Sequence, residues 1–161
     1  MTSPSTPSPS ITTPSISHSR SMPIIRRAGK RPFPPRVSAF TRPFWDALAE
    51  GWLITTACSR CSRLSFPPKP VCRDCWFEDF EWRALQPDGR LYSCTRLHVV
   101  PRAFAADAPE PLAIGIVDLA DGLRLMCRLL GEPGRFAPEA PVEMIVAAYD
   151  DGPLFAARPV G

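Results

Sequence analysis

The chain has 161 residues, 21 of them proline and six of them cysteine, and a formal net charge of +3. This length allows one or two small domains. Residues 1–45 contain seven basic and no acidic residues, whereas residues 46–161 contain 12 basic and 16 acidic residues, a charge of −4. Because phosphate binding needs a basic face, the acidic body argues against a nucleic-acid-binding protein.

The N-terminal part of the chain is expected to be a disordered basic tail. Its opening, MTSPSTPSPSITTPSISHSRS, has low hydrophobicity and no periodicity, so it cannot bury enough apolar area to offset the entropy of ordering. It lacks the apolar core of a secretory signal, and no stretch of the chain approaches the 18 apolar residues of a membrane span. We expect a cytoplasmic protein in which residues 1–38 are disordered.

A helix and three short strands are predicted next. Pro43 suits the first turn of a helix and Gly51 suits its end, which places a helical segment at residues 39–51. Strands are expected at Trp52–Ala57, at Leu64–Phe66 and at Phe80–Leu85. A stiff proline-rich link, Pro67–Pro70, separates the second strand from the third.

Two cysteine pairs lie among these strands. They are Cys58-Ser-Arg-Cys61 and Cys72-Arg-Asp-Cys75, with ten residues between them. Four thiolates at this spacing can surround one tetrahedral metal, and a closed shell of four sulfurs favours structural rather than catalytic Zn²⁺. The same shell can hold iron, as in rubredoxin. Two disulfides or four free thiols are the alternative, but nothing in the sequence indicates the oxidising compartment that disulfides need.

These features predict a zinc ribbon over residues 52–85, and a different pattern follows it. Gln86-Pro87-Asp88-Gly89 is a strong turn signal. Beyond it, strands are expected at 91–100, 112–119, 123–129, 142–146 and 154–158, with an irregular insert near 133–138. Five short strands fit the five-stranded OB-fold barrel, which we expect to occupy residues 86–161. The fold class is therefore mainly β.

No group of residues in the sequence is typical of an active site. His98 is the only histidine outside the tail, and we expect it at the surface. Cys127 falls on the apolar face of its strand and is expected to be a small buried hydrophobic residue. Cys94 also lies in a strand, but no base for a nucleophilic role can be identified. The chain is not expected to catalyse a reaction on its own.

From about Arg42 to Pro159 the chain resembles a family of small zinc-ribbon/OB-fold proteins associated with acyl-CoA metabolism. The shared motifs are Pro43-Phe44-Trp45 with Gly51, Phe66-Pro67-Pro68-Lys69-Pro70-Val71-Cys72-x-x-Cys75, Glu81-Trp82, Gly89-Arg90-Leu91-Tyr92-Ser93 with Thr95, and Asp121-Gly122-Leu123-Arg124-Leu125-Met126. The phenylalanine–proline run into the second cysteine pair is the most specific of them. The chain departs from the family where knuckles often carry glycine, at Ser62 and Trp76, and at Glu139–Val142, where Gly-x-Pro-Val is common.

The resemblance implies a helical segment, a rubredoxin-like ribbon and an OB-fold, with metal bound by the four cysteines. It also implies an accessory subunit that partners thiolase-like enzymes, lipid-transfer-protein-like aldolases or hot-dog hydratases and helps to hold acyl-CoA. Aromatic and cationic side chains around the ribbon are suited to the adenine and phosphates of CoA. The candidates are Phe66, Lys69 and Arg73, together with Arg60, Arg63, Trp76 and Trp82. The alternatives are a binder of single-stranded nucleic acid and a rubredoxin-like electron carrier.

Overall fold

The structure is a computed structural model, which describes residues 19–100, residue 102 and residues 111–160. The described residues form one α-helix and nine β-strands, with a 3-10 turn at Pro133–Arg135. The elements are β1 (Ile24–Arg26), α1 (Arg42–Ala49), β2 (Ile54–Cys58), β3 (Leu64–Ser65), β4 (Phe80–Ala84), β5 (Asp88–Leu97), β6 (Leu112–Leu119), β7 (Arg124–Leu129), β8 (Pro141–Tyr149) and β9 (Gly152–Pro159). The protein is therefore mainly β, as predicted.

Five of these strands close into a barrel. β5, β6 and β7 form an antiparallel meander, β8 pairs antiparallel with both β5 and β9, and β7 closes the ring by pairing parallel with β9. This strand order confirms the predicted OB-fold. The interior is filled by apolar side chains that are almost fully buried, among them Leu91, Val117, Leu125, Met144 and Ala157.

Strand β5 begins earlier than the sequence predicted. Asp88 and Gly89 were expected in a turn, but both lie in β5, where Gly89 pairs with Val142 on one side and with Leu119 on the other. A Cβ atom at Gly89 would lie 2.6 Å from the carbonyl oxygen of Asp118. Glycine is therefore needed at this position because two strands approach each other closely, and not because the chain turns there.

The ribbon is a three-stranded antiparallel sheet with β2 in the middle. β2 pairs with β3 through Thr56 and Ala57, and with β4 over its whole length. Every residue of β2 is buried. Because the strand is covered on both faces, it gives the metal-binding segments on either side a fixed support.

Helix α1 joins the ribbon to the barrel through aromatic side chains. Pro43 lies in its first turn, as predicted, and its buried face carries Phe44 and Leu48. The Phe44 ring lies 6.0 Å from the Phe66 ring of the ribbon and 6.5 Å from the Phe155 ring of the barrel. We call these three rings the aromatic joint, because each comes from a different part of the fold.

The expectation that residues 1–38 are disordered is wrong for the part of this segment that packs on the barrel; residues 1–18 lie outside the described residues. Residues 19–31 form what we call the N-terminal strap. Within it β1 pairs parallel with β8 over Val146–Ala148, and Met22 is only 3% exposed. Since β8 pairs with β5 only over its first three residues, the strap covers a backbone edge that β5 leaves open.

Charged side chains attach the strap at both ends. The Arg20 guanidinium lies 2.6 Å from the Asp88 carboxylate. At the other end, the backbone N–H of Arg31 donates a hydrogen bond to Asp151 Oδ1 at 2.7 Å. In the middle, the N–H of Met22 donates to the carbonyl of Gly51 at 2.8 Å. The basic strap therefore pairs with the acidic body of the same chain.

Candidate metal centre and adjoining cleft

The two cysteine pairs form knuckles with the same backbone hydrogen bonds. In the first, the N–H of Ser62 donates to the carbonyl of Cys58 at 2.9 Å. In the second, the N–H of Trp76 donates to the carbonyl of Cys72 at 2.9 Å. Ser62 and Trp76 have φ angles of 58° and 57°, in the left-handed region that favours glycine. The backbone therefore turns sharply at both positions, although neither of them carries glycine.

The knuckles bring all four cysteine sulfurs together. The four Sγ atoms lie within 4.8 Å of one another. Three of their separations are 3.5 Å for Cys58–Cys75, 3.6 Å for Cys61–Cys72 and 3.6 Å for Cys61–Cys75. A tetrahedral zinc with Zn–S bonds of about 2.3 Å places its sulfurs about 3.8 Å apart, whereas a disulfide needs about 2.05 Å. The arrangement fits a metal ion, and the cysteines are not paired in disulfides.

Backbone N–H groups of the knuckles favour the thiolate form of the first cysteine in each pair. The N–H of Cys61 donates to the Cys58 sulfur and lowers the pKa of that thiol to about 7. The N–H of Cys75 likewise lowers the pKa of Cys72. For Cys75 the N–H of Phe77 acts in the same direction, but burial and the neighbouring sulfurs outweigh it and raise the pKa to about 12. Four thiolates so close together need a cation, and a divalent metal supplies it.

A cleft of about 470 Å³ adjoins this centre, between the ribbon and the turn that joins β6 to β7. The ribbon side is lined by Leu64, Ser65, Phe66, Lys69, Val71, Cys72, Arg73 and Trp76, and the barrel side by Gly122, Leu123 and Arg124. The three principal CoA candidates from the sequence, Phe66, Lys69 and Arg73, therefore line one cavity. Trp76, on the wider set of candidates, joins them there.

The four candidates differ in how they are held. Trp76 is 78% exposed, and its backbone is fixed by the second knuckle. Arg73 has an exposed side chain that approaches Asp74 at 3.8 Å. Lys69 is exposed, but its backbone is hydrogen-bonded to the buried Thr56. Phe66 also belongs to the aromatic joint, so its ring both packs against the core and lines the cleft.

The other three candidates do not line the cleft. The Arg60 guanidinium lies over the Phe77 ring at 4.1 Å, and Arg63 pairs with Asp74 at 3.4 Å. Trp82 packs beside Phe80, with ring centroids 6.0 Å apart. Their side chains are explained by packing and solvation of the ribbon.

On the barrel side of the cleft, Arg124 is fixed by two neighbours. Its guanidinium makes two hydrogen bonds to the Asp118 carboxylate, at 2.5 and 2.8 Å, and lies 3.5 Å from the centre of the Tyr92 ring. The hydrogen bond from Arg124 lowers the pKa of Asp118. The sequence predicts that Arg124 lies in a strand but carries no signal that assigns it to a site, because the ribbon that it faces lies about 50 residues away along the chain.

Two buried threonines were also missed. Thr55 and Thr56 are 0% and 2% exposed. The Thr55 hydroxyl donates to the carbonyl of Ser65, and the Thr56 hydroxyl donates to the carbonyl of Lys69 at 3.0 Å. Two adjacent hydroxyls in a strand that is otherwise apolar were the available signal, since buried hydroxyls need partners.

Taken together, the barrel, the ribbon sheet and the four-cysteine cluster define a zinc-ribbon/OB-fold protein. Residues 45–81 match the sequence profile of the ChsH2 rubredoxin-like zinc ribbon domain, and residues 82–147 match that of the ChsH2 C-terminal OB-fold domain. The chain belongs to this ChsH2/DUF35 family.

The chain is similar to several characterised proteins. It is 32% identical over 120 residues to the benzoylsuccinyl-CoA thiolase subunit BbsA of Thauera aromatica, covering 73% of this chain and 81% of that protein. It is 31% identical over 83 residues to a DUF35 domain-containing scaffold protein of Methanocaldococcus jannaschii, covering 50% and 57%. Among solved structures, it resembles a chain of the Ltp2-ChsH2(DUF35) aldolase, with a TM-score of 0.69, 25% identity and coverage of 78% of this chain and 98% of that one.

The single helix of the described residues is eight residues long. Within those residues, no helix has the length and apolar character needed to cross a membrane.

Proposed function

We propose that this protein is a non-catalytic accessory subunit of a thiolase-, aldolase- or hydratase-type enzyme, and that it helps to hold the acyl-CoA substrate of that enzyme. The accessory role is supported by the relatives, which are named as a thiolase subunit, a scaffold protein and part of an aldolase. We place the complex in the cytoplasm, in the metabolism of lipid, steroid or related acyl-CoA compounds. The free thiols are compatible with that reducing compartment.

The observation that carries the CoA part of the proposal is the cleft between the ribbon and the barrel. It combines an exposed tryptophan ring, Trp76, with the cationic side chains of Lys69 and Arg73. An indole can stack on adenine, and ammonium and guanidinium groups bind phosphate through charge-assisted hydrogen bonds. The cleft thus has groups for the base and for the phosphates of one CoA molecule.

In this proposal Cys58, Cys61, Cys72 and Cys75 hold a structural Zn²⁺. A shell of four sulfurs leaves no open coordination position, so the metal stabilises the ribbon rather than reacting with substrate. Arg73 and Trp76 lie inside or directly after the second knuckle, and the metal therefore fixes the backbone that carries both side chains. Elemental analysis is expected to find zinc, and visible absorbance typical of iron would instead favour the electron carrier.

Calorimetric titration with CoA tests the cleft. We expect Trp76→Ala and Arg73→Ala each to weaken CoA binding, whereas Arg36→Ala, an exposed arginine outside the cleft, should leave it unchanged. Pantetheine, which lacks the nucleotide, should not bind there. Unaltered CoA affinity in both cleft variants would contradict the proposal.

Size-exclusion chromatography tests the accessory role. The purified protein, mixed with the thiolase- or aldolase-type enzyme encoded nearest to it, should elute as one complex. The chain alone should show no thiolase or aldolase turnover. A chain that stays separate from such an enzyme at micromolar concentration would refute the accessory role while leaving CoA binding open to its own test.

A further inference from the structure

Lys69 has the only backbone N–H in the proline-rich link between the two knuckles. Proline has no N–H, so the run Pro67-Pro68-Lys69-Pro70 offers one donor. That N–H donates a hydrogen bond to the hydroxyl oxygen of Thr56 at 3.0 Å, and the same hydroxyl donates to the carbonyl of Lys69 at 3.0 Å. A single side chain therefore holds the peptide groups on both sides of the Lys69 Cα atom.

Thr56 is well placed to act as a fixed anchor. It lies in the central strand of the ribbon, where its backbone pairs with Ser65 on one side and Trp82 on the other. Its side chain is buried, so its hydroxyl does not exchange its partner for water. The link runs over this strand, and its only polar tie to β2 among the described residues is the one at Lys69.

The prolines on either side restrict Lys69 further. Pro68 fixes its own φ angle, and Pro70 disfavours helical conformations of the residue before it. The two peptide groups that flank Lys69 could still rotate, and their hydrogen bonds to the Thr56 hydroxyl prevent this rotation. The direction in which the Lys69 side chain leaves the backbone is thereby set toward the cleft that it lines.

We propose that Thr56 is a positioning residue: its reciprocal hydrogen bonds with the Lys69 backbone fix the point at the wall of the cleft from which the Lys69 side chain extends, and the ammonium at the end of that side chain binds a phosphate group of the ligand. This inference rests on the proposed function, in which the cleft binds CoA. It assigns a role in ligand binding to a buried residue that does not touch the ligand. A long, flexible lysine gains affinity when its backbone is fixed beforehand, because less freedom is lost on binding.

The test compares three variants of the full chain by calorimetric titration with CoA. Thr56→Val keeps the shape of the side chain but removes the hydroxyl, and we expect it to weaken CoA binding about tenfold. Thr56→Ser keeps the hydroxyl and should bind CoA within about twofold of the wild type. Lys69→Ala should weaken binding to a similar degree as Thr56→Val.

The decisive measurement is the double variant. If Thr56 acts through Lys69, adding Thr56→Val to Lys69→Ala causes no further loss of CoA affinity. A merely structural role would instead give additive losses in the two backgrounds. Thr55→Val removes an equally buried hydroxyl from the same strand. The free energy of unfolding of this variant shows how much the loss of a buried hydroxyl by itself weakens folding. Should Thr56→Val fail to fold, Thr56→Ala in the same cycle takes its place.

The outcomes distinguish failure of this inference from failure of the proposed function. Lys69→Ala and Trp76→Ala variants that both bind CoA like the wild type would refute the function of the cleft itself. Weakened binding in Lys69→Ala, combined with normal binding or additive loss in Thr56→Val, would overturn the positioning role and leave the cleft intact. Loss in Thr56→Val, recovery in Thr56→Ser and no additivity with Lys69→Ala would establish it.

Discussion

The edge of the Phe66 ring meets the Phe155 ring with 5.6 Å between centroids and an interplanar angle of 80°. Phe66 follows β3 in the ribbon, and Phe155 lies in β9 of the barrel. Phe44 of helix α1 completes the contact. Because the cleft lies between ribbon and barrel, this aromatic joint also fixes the distance between the walls of the cleft.

Truncation of the aromatic joint should lower the stability of the protein. Phe155→Ala removes the ring that links the barrel to the other two, and we expect the free energy of unfolding to fall by about 2–3 kcal/mol. Urea denaturation measures this loss. Val99→Ala, at a side chain that is 89% exposed, should change it by less than about 0.5 kcal/mol. Equal effects of the two substitutions would show that the joint contributes nothing specific.

The N-terminal strap should contribute to stability through Met22. This side chain is 3% exposed, whereas that of Met126 is 68% exposed, so the same substitution can be compared at two depths. Met22→Ala should cost about 2–4 kcal/mol of unfolding free energy, and Met126→Ala less than about 0.5 kcal/mol. Thermal or urea unfolding distinguishes them. If Met22→Ala were as mild as Met126→Ala, the strap would not be part of the core.

The strap shows why composition alone was not enough. The low hydrophobicity of residues 1–38 predicts disorder, but the order of the strap depends on an edge of β8 that lies about 120 residues away along the chain. By contrast, signals that are local were read correctly. The alternation over Leu123–Leu129 predicted β7 with Cys127 buried, and Leu112–Leu119 matches β6 at both ends.

The residues of the candidate site likewise differ in whether a local sequence signal predicts them. Spacing along the sequence was enough to predict that the four cysteines come together, and chemical character selected Lys69 and Arg73 near them. The opposite wall could not be predicted, because no local signal relates Arg124 to the ribbon. Thr56 likewise belongs to no motif. Its two hydrogen bonds are made with Lys69, the one residue of the proline-rich link that has a backbone N–H.

Loss of one metal ligand should unfold the ribbon. Cys72→Ser replaces a buried sulfur in the second knuckle, and Cys94→Ser replaces an exposed cysteine outside the cluster. We expect zinc content to fall from about one per chain to near zero in the first and to stay at about one in the second. Hydrogen exchange should show lost protection of β2–β4 in Cys72→Ser. Full zinc content in that variant would remove Cys72 from the ligand set.

Glycine at a knuckle turn should stabilise the protein. Ser62 has a φ of 58°, a conformation that costs a residue with a Cβ atom about 1–2 kcal/mol, while glycine loses about 0.5–1 kcal/mol more backbone entropy on folding. Ser62→Gly should therefore raise stability by about 0.5–1 kcal/mol. Ser59→Gly, in the same knuckle but without a positive φ, should lower it by about 0.5–1 kcal/mol. Chemical denaturation of zinc-loaded protein gives both values, and a shift in the same direction would contradict the argument.

Acid should release the C-terminal end of the strap. The backbone N–H of Arg31, followed by its guanidinium, holds the pKa of Asp151 below its ordinary value. Because the folded pKa is lower than the unfolded pKa, the contact stabilises the strap above about pH 4 and is lost as pH falls through the folded pKa.

Hydrogen exchange, corrected for the intrinsic effect of pH, measures this release at two reporters. They are the amide of Arg31, bonded to Asp151, and the amide of Asp150, bonded to the carbonyl of Gly29 at 3.0 Å. At about pH 6 both should be better protected in the wild type than in Asp151→Asn, and at a pH below the folded pKa of Asp151 the difference should vanish, because the wild-type carboxyl is then protonated. Asp46→Asn, on the exposed side of α1, should behave as the wild type does at both values. A protection difference that persists at the lower pH would mean that Asp151 does not hold the strap through its charge.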